Sequence, residues 1–517
     1  MEIQIIMSEK GKELVLLNNF KYCFVRKRKD GYIKWICTNK NCTANILTTA
    51  DKKSLHQSTG EHKHLVNSQQ KIERQILREN CKRKADDNIS TRPLKIIRNE
   101  LIKNKPTDII YSDIQSVRKA MYDKRRKMYP VFPISLNEAI SQLKLVENNC
   151  CLFNGDQFVF VPENDEFVCI TTKENLKFMT TQNEFFGDGT FDFAPKFFLQ
   201  LYTIHSYTNG FYVPIVYFFL ANKTKETYLN MWKYLLELCQ RFFTSTFDVQ
   251  KLHLDFESGA HEAAKEIFPN VMIVTCRFHL GQAWWRKING DSNLRNAYKD
   301  NNNELGQWLK LFFGLPFLPS DEIEDAFLAL IAECPSLEEG HVFTDYLVST
   351  YIAPDSLFPP YLWAQEPSVN PRTTNGPESF HRTYNGQFYC PHPPTHVVIS
   401  VLKETQAQTL TIINSIKNNV HKPMAKKDKL LSESTLQNYN DYKVHKDLIL
   451  YLRKTGNSYQ GKNLKKIRGR KNLSAFYNSS TWRIDRDFEG QLLVDFKEVS
   501  TAGFSELTSS ENDGIKQ

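Results

Sequence analysis

The sequence has no long hydrophobic run. Its longest apolar stretch, FYVPIVYFFLA from Phe211 to Ala221, is 11 residues. That is too short to cross the ~30 Å apolar layer of a bilayer, so no membrane partner is expected. No secretory signal is expected either, because Glu2 precedes a short apolar patch with no cleavage pattern after it. Cysteine is sparse, with 11 scattered residues in 517. An odd, dispersed set argues against a disulfide framework, points to a reducing compartment, and makes any close cysteine pair a better metal site than a bridge. Internal repeats are absent, which excludes solenoids and propellers. Gly and Pro number only 21 each, which excludes collagen-like and low-complexity chains. An apolar content of 41% with 24% charged residues is that of a folded protein. The length accommodates about three to five domains.

Charge is unevenly placed. Residues 1–130 carry a net +15, residues 131–420 a net −12, residues 421–480 a net +10 and residues 481–517 a net −4. A single charged run is commonly a solvated face. Two basic blocks around an acidic middle instead point to a polyanion, held by release of its condensed counterions. The acidic middle would repel phosphate unless its carboxylates held cations.

The densest metal signal lies in residues 11–66. Cys37 and Cys42 are followed by His62 and His64. Two thiolates and two imidazoles suit a closed tetrahedral Zn²⁺ site. The His-x-His spacing predicts a strand that turns both rings to one face. Phe20, Tyr22 and Phe24 alternate, as do Ile33 and Trp35, and Asp30-Gly31 between them signals a turn. So small a module buries little core and would depend on its metal. Read without a metal, the same residues are buried thiols and a polar loop. The run FKYCFVRKRKDGYIKWIC, with CTAN and EHKH after it, resembles the FLYWCH-type zinc finger. The resemblance implies a small β-rich domain that binds DNA or protein, and Arg26, Lys27, Arg28 and Lys29 on its hairpin are the expected phosphate contacts. Residues 68–135 read as a basic helical linker or helix-turn-helix-like segment. Its clusters Lys82-Arg83-Lys84 and Lys124-Arg125-Arg126-Lys127 suit nuclear import.

From Asn183 the pattern changes. FFGDGTFDFAP, KFFLQLYTIHSY and FYVPIVYFFLA predict three strands, with Asn209-Gly210 as a hairpin turn. An apolar face through Tyr228, Met231, Trp232, Leu235 and Cys239 predicts a helix. A strand (KLHLDF), a helix capped by Ser258 and a strand (VMIVTC) follow. This order matches a ribonuclease-H-like mixed α/β sheet, an analogy of architecture alone. In such a sheet the first and fourth strands are neighbours, so Asp188 and Asp255 would meet. Asn375-Gly376-Pro377 predicts a helix start, with Glu378 in its first turn. Three converging acids would hold an oxygen-seeking divalent ion. Taken singly, Asp188 reads as a turn residue, Asp255 as a strand-end cap and Glu378 as a first-turn acid favoured by the helix dipole. Asp192 and Glu257, each an even step along the chain, are rival ligands.

The strings DGTFDFAPKFF, YVPIVYFFLANKTKETY, LHLDFESGAHEAAKEIFP, CRFHLGQAWWRKI and TNGPESFH resemble the MULE transposase domain of Mutator-like elements. The resemblance implies that Asp188, Asp255 and Glu378 are a DDE triad holding Mg²⁺ or Mn²⁺. It also makes Cys276 and His279 a family motif, structural or DNA-contacting. It further implies DNA cleavage and joining at terminal repeats, by an oligomer of the chain on double-stranded DNA in the nucleus. A domesticated, inactive transposase acting as a DNA-binding regulator is the alternative. The expected segments are a finger (11–66), the basic linker (68–135), the first part of the core (136–290), a helical insertion (291–371), the end of the core (372–420) and a basic, helical or flexible C-terminal region (421–517). Within the last, GNSYQGKNLKKIRGRKNLSA reads as a loop or tail.

Overall fold

A computed structural model describes residues 3–87, 91–127, 131–145, 152–163, 167–368, 375–388 and 390–467. The chain divides into two compact units, Met1–Gly461 and Lys462–Gln517. Of the second, only the end of one helix, as far as Ile467, is described.

Six strands open the first unit: β1 (Gln4–Met7), β2 (Glu13–Leu17), β3 (Phe20–Lys27), β4 (Ile33–Cys37), β5 (Asn45–Thr48) and β6 (Leu55–Thr59). They pair antiparallel in sequence order. The sheet starts at Gln4, ahead of the boundary expected at 11. Period-two alternation turns Val15, Tyr22, Trp35 and Ile46 into one core, and Trp35 Nε1 donates to Thr48 Oγ1 at 2.9 Å. Gly31, at φ 88°, makes the turn that Asp30-Gly31 predicted.

Three helices follow, α1 (Gln69–Asp87), α2 (Pro93–Asn104) and α3 (Tyr111–Lys127). They close around Leu77, Cys81, Ile97, Val117 and Met121. Not all the basic residues here face solvent. Arg125 donates from Nε to Ala85 O at 3.2 Å and from a terminal nitrogen to Thr91 O at 2.7 Å, and Lys84 is paired with the buried Glu100.

The central sheet comes next. After α4 (Leu136–Leu145) and a hairpin of β7 (Leu152–Phe153) with β8 (Asp156–Gln157) come β9 (Val159–Phe160), β10 (Phe167–Ile170) and α5 (Lys173–Met179). Then come β11 (Glu184–Thr190), β12 (Gln200–Thr208), β13 (Phe211–Leu220), α6 (Lys225–Phe243), β14 (Lys251–Leu254), α7 (Ser258–Ile267) and β15 (Met272–Thr275). The order across the sheet is β15-β14-β11-β12-β13-β10-β9. β11, β14 and β15 run parallel and the other pairs antiparallel. The first and fourth strands of the expected pattern are therefore neighbours. Asn209 and Gly210 both take positive φ, 51° and 83°, as a tight hairpin of this hand requires. The expected second strand is shorter than predicted: Phe197 sits at φ 77° in a turn, and pairing begins at Gln200.

Beyond β15 the chain is helical: α8 (Arg277–Gly290), α9 (Ser292–Lys299), α10 (Glu304–Leu311), α11 (Ile323–Ala332), α12 (Leu337–Leu347), α13 (Asn375–Asn385), α14 (Thr395–Lys417), α15 (Lys426–His445) and α16 (Leu448–Ile467). Trp284 is fully buried and its ring meets those of Phe313, Tyr351 and Trp363, while Trp285 is half-buried. The adjacent tryptophans thus divide between core and surface. The basic stretch expected as a loop from Gly456 onward is helical to Ile467, and residues 468–475 lie outside the described residues. Gly456 is not a breaker here but a point of close approach. A Cβ on it would run into the carbonyl of Lys310, and one on Gly314 would crowd the Leu452 backbone. Among the described residues no helix is long and apolar enough to cross a membrane.

Candidate metal centres and active site

In the N-terminal sheet, Cys37 ends β4 and Cys42 follows in the loop to β5. Their sulfurs meet the two histidines: Cys37 Sγ lies 3.2 Å from His64 Nε2, Cys42 Sγ lies 3.4 Å from His62 Nδ1, and the two ring nitrogens are 3.2 Å apart. All four donor atoms lie within 4.8 Å of one another. Zinc bonds of about 2.0–2.3 Å in tetrahedral array put ligand atoms roughly 3.3–3.8 Å apart, so the donor set fits that ion. The histidines are not on a strand, as the His-x-His spacing predicted. β6 ends at Thr59, and Gly60, at φ 82°, turns the chain away. Side chains orient the rings instead. Phe20 stacks on His62 with centroids 3.5 Å apart, Tyr22 Oη meets His62 Nε2 at 2.8 Å, and His64 Nδ1 meets Leu65 O at 3.0 Å. Such outer contacts fix which ring nitrogen is left for a metal. Arg26, Lys27, Arg28 and Lys29 are all exposed at the β3–β4 turn, with Arg28 paired to Asp30 at 3.0 Å.

The second site is built on parallel pairing. Glu184 faces Lys251 and Phe186 faces His253 in the β11–β14 register. Two residues further along both chains stand Asp188 and Asp255, on the same face of the sheet because side chains alternate. Asp188 is buried, at 4% exposure. Its neighbours are glycines for a reason: a Cβ on Gly187 would strike the Tyr202 side chain, and one on Gly189 that of Gln200. The DGT string therefore lets the next strand's side chains fold across the opposite face. Glu378 arrives on the first turn of α13, as expected. Gly376 lets that turn seat on β13, since a Cβ there would enter the Tyr212 ring.

The three acids share one field. Burial, with the charges of Asp188 and Asp255, pushes the Glu378 carboxyl up to about 7. Burial and the charge of Asp188 also raise Asp255, against the pull of His279. Asp188 goes the other way: although burial opposes it, His381 holds its carboxyl below the usual range. Mutual repulsion of this kind is what a divalent cation relieves, and carboxylate oxygens are the donors that Mg²⁺ and Mn²⁺ prefer. The donor set suits such an ion in chemistry, although the donor atoms within 4.8 Å of one another here are those of Asp255, Cys276 and His279.

Five further residues stand around the acids. His381 Nδ1 pairs with Asp188 Oδ2 at 2.8 Å. Thr203 Oγ1 lies 3.0 Å from His381 Nε2 and 3.0 Å from His205 Nε2. Burial lowers His205 to about 3, so that ring is neutral. Cys276 sits at the N-cap of α8 and His279 in its first turn. His279 Nδ1 lies 2.6 Å from Asp255 Oδ1, and Cys276 Sγ lies 3.9 Å from Glu378 Oε1. The Cys-x-x-His pair thus meets two of the three acids. Sequence reasoning missed His381, although its i, i+3 spacing from Glu378 at a helix start places both on one face.

Of the rival acids, Glu257 lines one cleft with Asp188 and Asp255, and its charge adds to the raising of Asp255. Asp192 is exposed beyond the end of β11. Glu257 accepts a hydrogen bond from Tyr228 Oη, with Lys223 3.9 Å away. Glu257, not Ser258, is the N-cap of α7, and because its carboxylate is turned to those partners it makes no side-chain cap bond.

Residues 5–64 match the FLYWCH zinc finger domain, and residues 185–283 match the MULE transposase domain. The second match contains Asp188, Asp255, Cys276 and His279, and ends before Glu378 and His381. No curated protein matches the chain. The chain joins an N-terminal FLYWCH zinc finger to a MULE transposase domain and is a transposase-related, DNA-binding protein.

Proposed function

We propose that the protein is a DDE transposase of a Mutator-like element, cleaving and joining DNA strands by divalent-metal-dependent phosphoryl transfer. The observation that carries this reading is the coupling of three acids from three distant segments. Asp188, on β11, and Asp255, just past the end of the neighbouring parallel β14, line one cleft, and burial, joined by both their charges, raises Glu378. Bound Mg²⁺ or Mn²⁺ would activate the attacking oxygen and stabilise the leaving one. Asp188, Asp255 and Glu378 would be its ligands and would not shuttle protons. His381 fixes the Asp188 carboxylate, and Thr203 fixes the far side of the His381 ring.

Basic groups outside the acidic centre would hold the flanking DNA while the scissile phosphate enters that centre. A groove of about 670 Å³ between the β1–β2 turn and helices α1 and α3 has Lys10, Arg78, Lys82, Arg83, Lys124 and Lys127 in its lining, with Glu9, Glu79 and Asp123 among them. Together with Arg26, Lys27, Arg28 and Lys29 it supplies a phosphate-binding surface. The reading extends to element terminal repeats as substrate, an oligomer of the chain on DNA, and action in the nucleus.

The test is Asp188→Asn, assayed for Mn²⁺-dependent nicking and for gel-shift binding of element-end DNA. Loss of nicking with binding retained is expected. A wild-type protein that binds but never nicks would make it a domesticated DNA-binding regulator instead.

A further inference from the structure

A thiol is out of place beside carboxylates that serve a hard cation. Mg²⁺ takes oxygen, whereas sulfur and imidazole draw Zn²⁺ and its neighbours in the transition series. Yet Cys276, buried at the mouth of α8, lies beside two of the three acids, Asp255 and Glu378. One donor atom each from Asp255, Cys276 and His279 falls within 4.8 Å of the other two, and the Glu378 carboxyl is 3.9 Å from the same sulfur. Asp255 Oδ1 and His279 Nδ1 are buried and 2.6 Å apart, but the pair makes no hydrogen bond of acceptable angle. Two ligands turned toward a common third body have that geometry. An ion between them would open the contact to about 3.3 Å.

We propose that Asp255, Cys276 and His279 form a second cation site, selective for Zn²⁺ and similar thiophilic ions, with Glu378 beside it as a further oxygen donor. Because Asp255 belongs to both sites, an ion held by the thiolate withdraws it from the catalytic cation. Zinc is then structural in the finger and inhibitory at the core. Deprotonation of Cys276 accompanies binding, its proton passing to solvent. The ion-binding half stands on the donor set alone. The inhibitory half rests on the phosphoryl-transfer reading.

The experiment uses the full chain. Metal content after zinc loading and desalting is expected to be about two ions per chain, falling to about one in Cys276→Ser, in His279→Gln and in the finger variant Cys42→Ser. Co²⁺ titration of Cys42→Ser should still give a thiolate-to-metal absorption band, and Cys42→Ser combined with His279→Gln should give none. His279→Gln, at a partly exposed position, serves if Cys276→Ser fails to fold by circular dichroism. Zinc content and Co²⁺ spectra unchanged by either core variant would overturn the site. In the nicking assay, micromolar Zn²⁺ should inhibit the wild-type protein, and a rise of roughly tenfold or more in the inhibitory concentration is expected for His279→Gln. Equal inhibition of both would overturn the shared-ligand mechanism. If no form nicks DNA, the transposase reading fails, while the metal counts still decide whether the site exists.

Discussion

His381 reaches from α13 to β11 and holds Asp188 by a 2.8 Å contact between Nδ1 and Oδ2. A helix that follows the sheet by a long stretch of chain is thereby tied to the strand that begins the site.

Removing that tie should be visible in acid. Burial raises the Asp188 carboxyl and His381 more than offsets it, so its folded value lies below the unfolded one. The stabilisation is present above the unfolded carboxyl value of about 3.9 and is lost as pH falls through the folded value. In His381→Ala the largest pull against burial is lost and the weaker pull of His279 remains, so the acid midpoint of unfolding should move up. Metal-dependent nicking should fall roughly 10–100-fold. Circular dichroism against pH measures the first effect, and an unmoved midpoint would count against it.

Glu378 behaves oppositely. Its folded carboxyl titrates at about 7, well above the ~4.3 of an unfolded chain. Native stability is therefore greatest below the unfolded value and declines as pH rises toward 7. Glu378→Gln should raise the metal-free melting temperature near pH 8 more than near pH 5, a gain of roughly 1–3 kcal/mol, while abolishing nicking. Added Mg²⁺ should stabilise the wild-type protein near pH 8 and the variant much less. Thermal melts at the two pH values decide this, and a variant less stable than wild type at both would contradict it.

Zinc removal should act locally. Chelation, or His64→Ala, takes away the ion that fastens the β4–β5 loop to the segment after β6. Hydrogen exchange should then quicken through residues 4–64 and leave β11–β14 protected. DNA affinity should fall with it. Uniform protection with and without chelator would show that the finger folds on its aromatic core alone.

Gly376→Ala tests how tightly the third acid is aimed. The added methyl meets the Tyr212 ring, so the first turn of α13 must lift, at a cost of about 1–3 kcal/mol. A displacement near 1 Å at a reacting centre lowers turnover by roughly 100-fold. Nicking should therefore suffer far more than melting temperature. Wild-type nicking would mean that Glu378 tolerates a looser seat.

Alternation and turn signals made the central sheet legible. Apolar strands on either side of Asn209-Gly210, then helix, strand, helix, strand, predict the neighbouring strands β11 and β14 that carry Asp188 and lead into Asp255. Gly376-Pro377 likewise announced the helix that carries Glu378. What stayed hidden depended on contacts between distant segments. Thr203 and His205 look like ordinary strand residues until α13 is laid over them. Gly456 looks like a loop residue until Lys310 is seen against it. The finger histidines followed no strand pattern because Phe20 and Tyr22, not backbone pairing, set their rings.

Parallel pairing of β11 with β14 acts as a ruler for the chemistry. An extra residue in the exposed stretch 244–246 should leave Asp255 in place, because it is absorbed before the backbone contacts that begin at Gln250. The same residue inserted between Lys251 and Leu254 would turn Asp255 to the opposite side of the sheet and present an apolar neighbour to Asp188. Tolerance of length should thus end where backbone pairing begins, at Gln250.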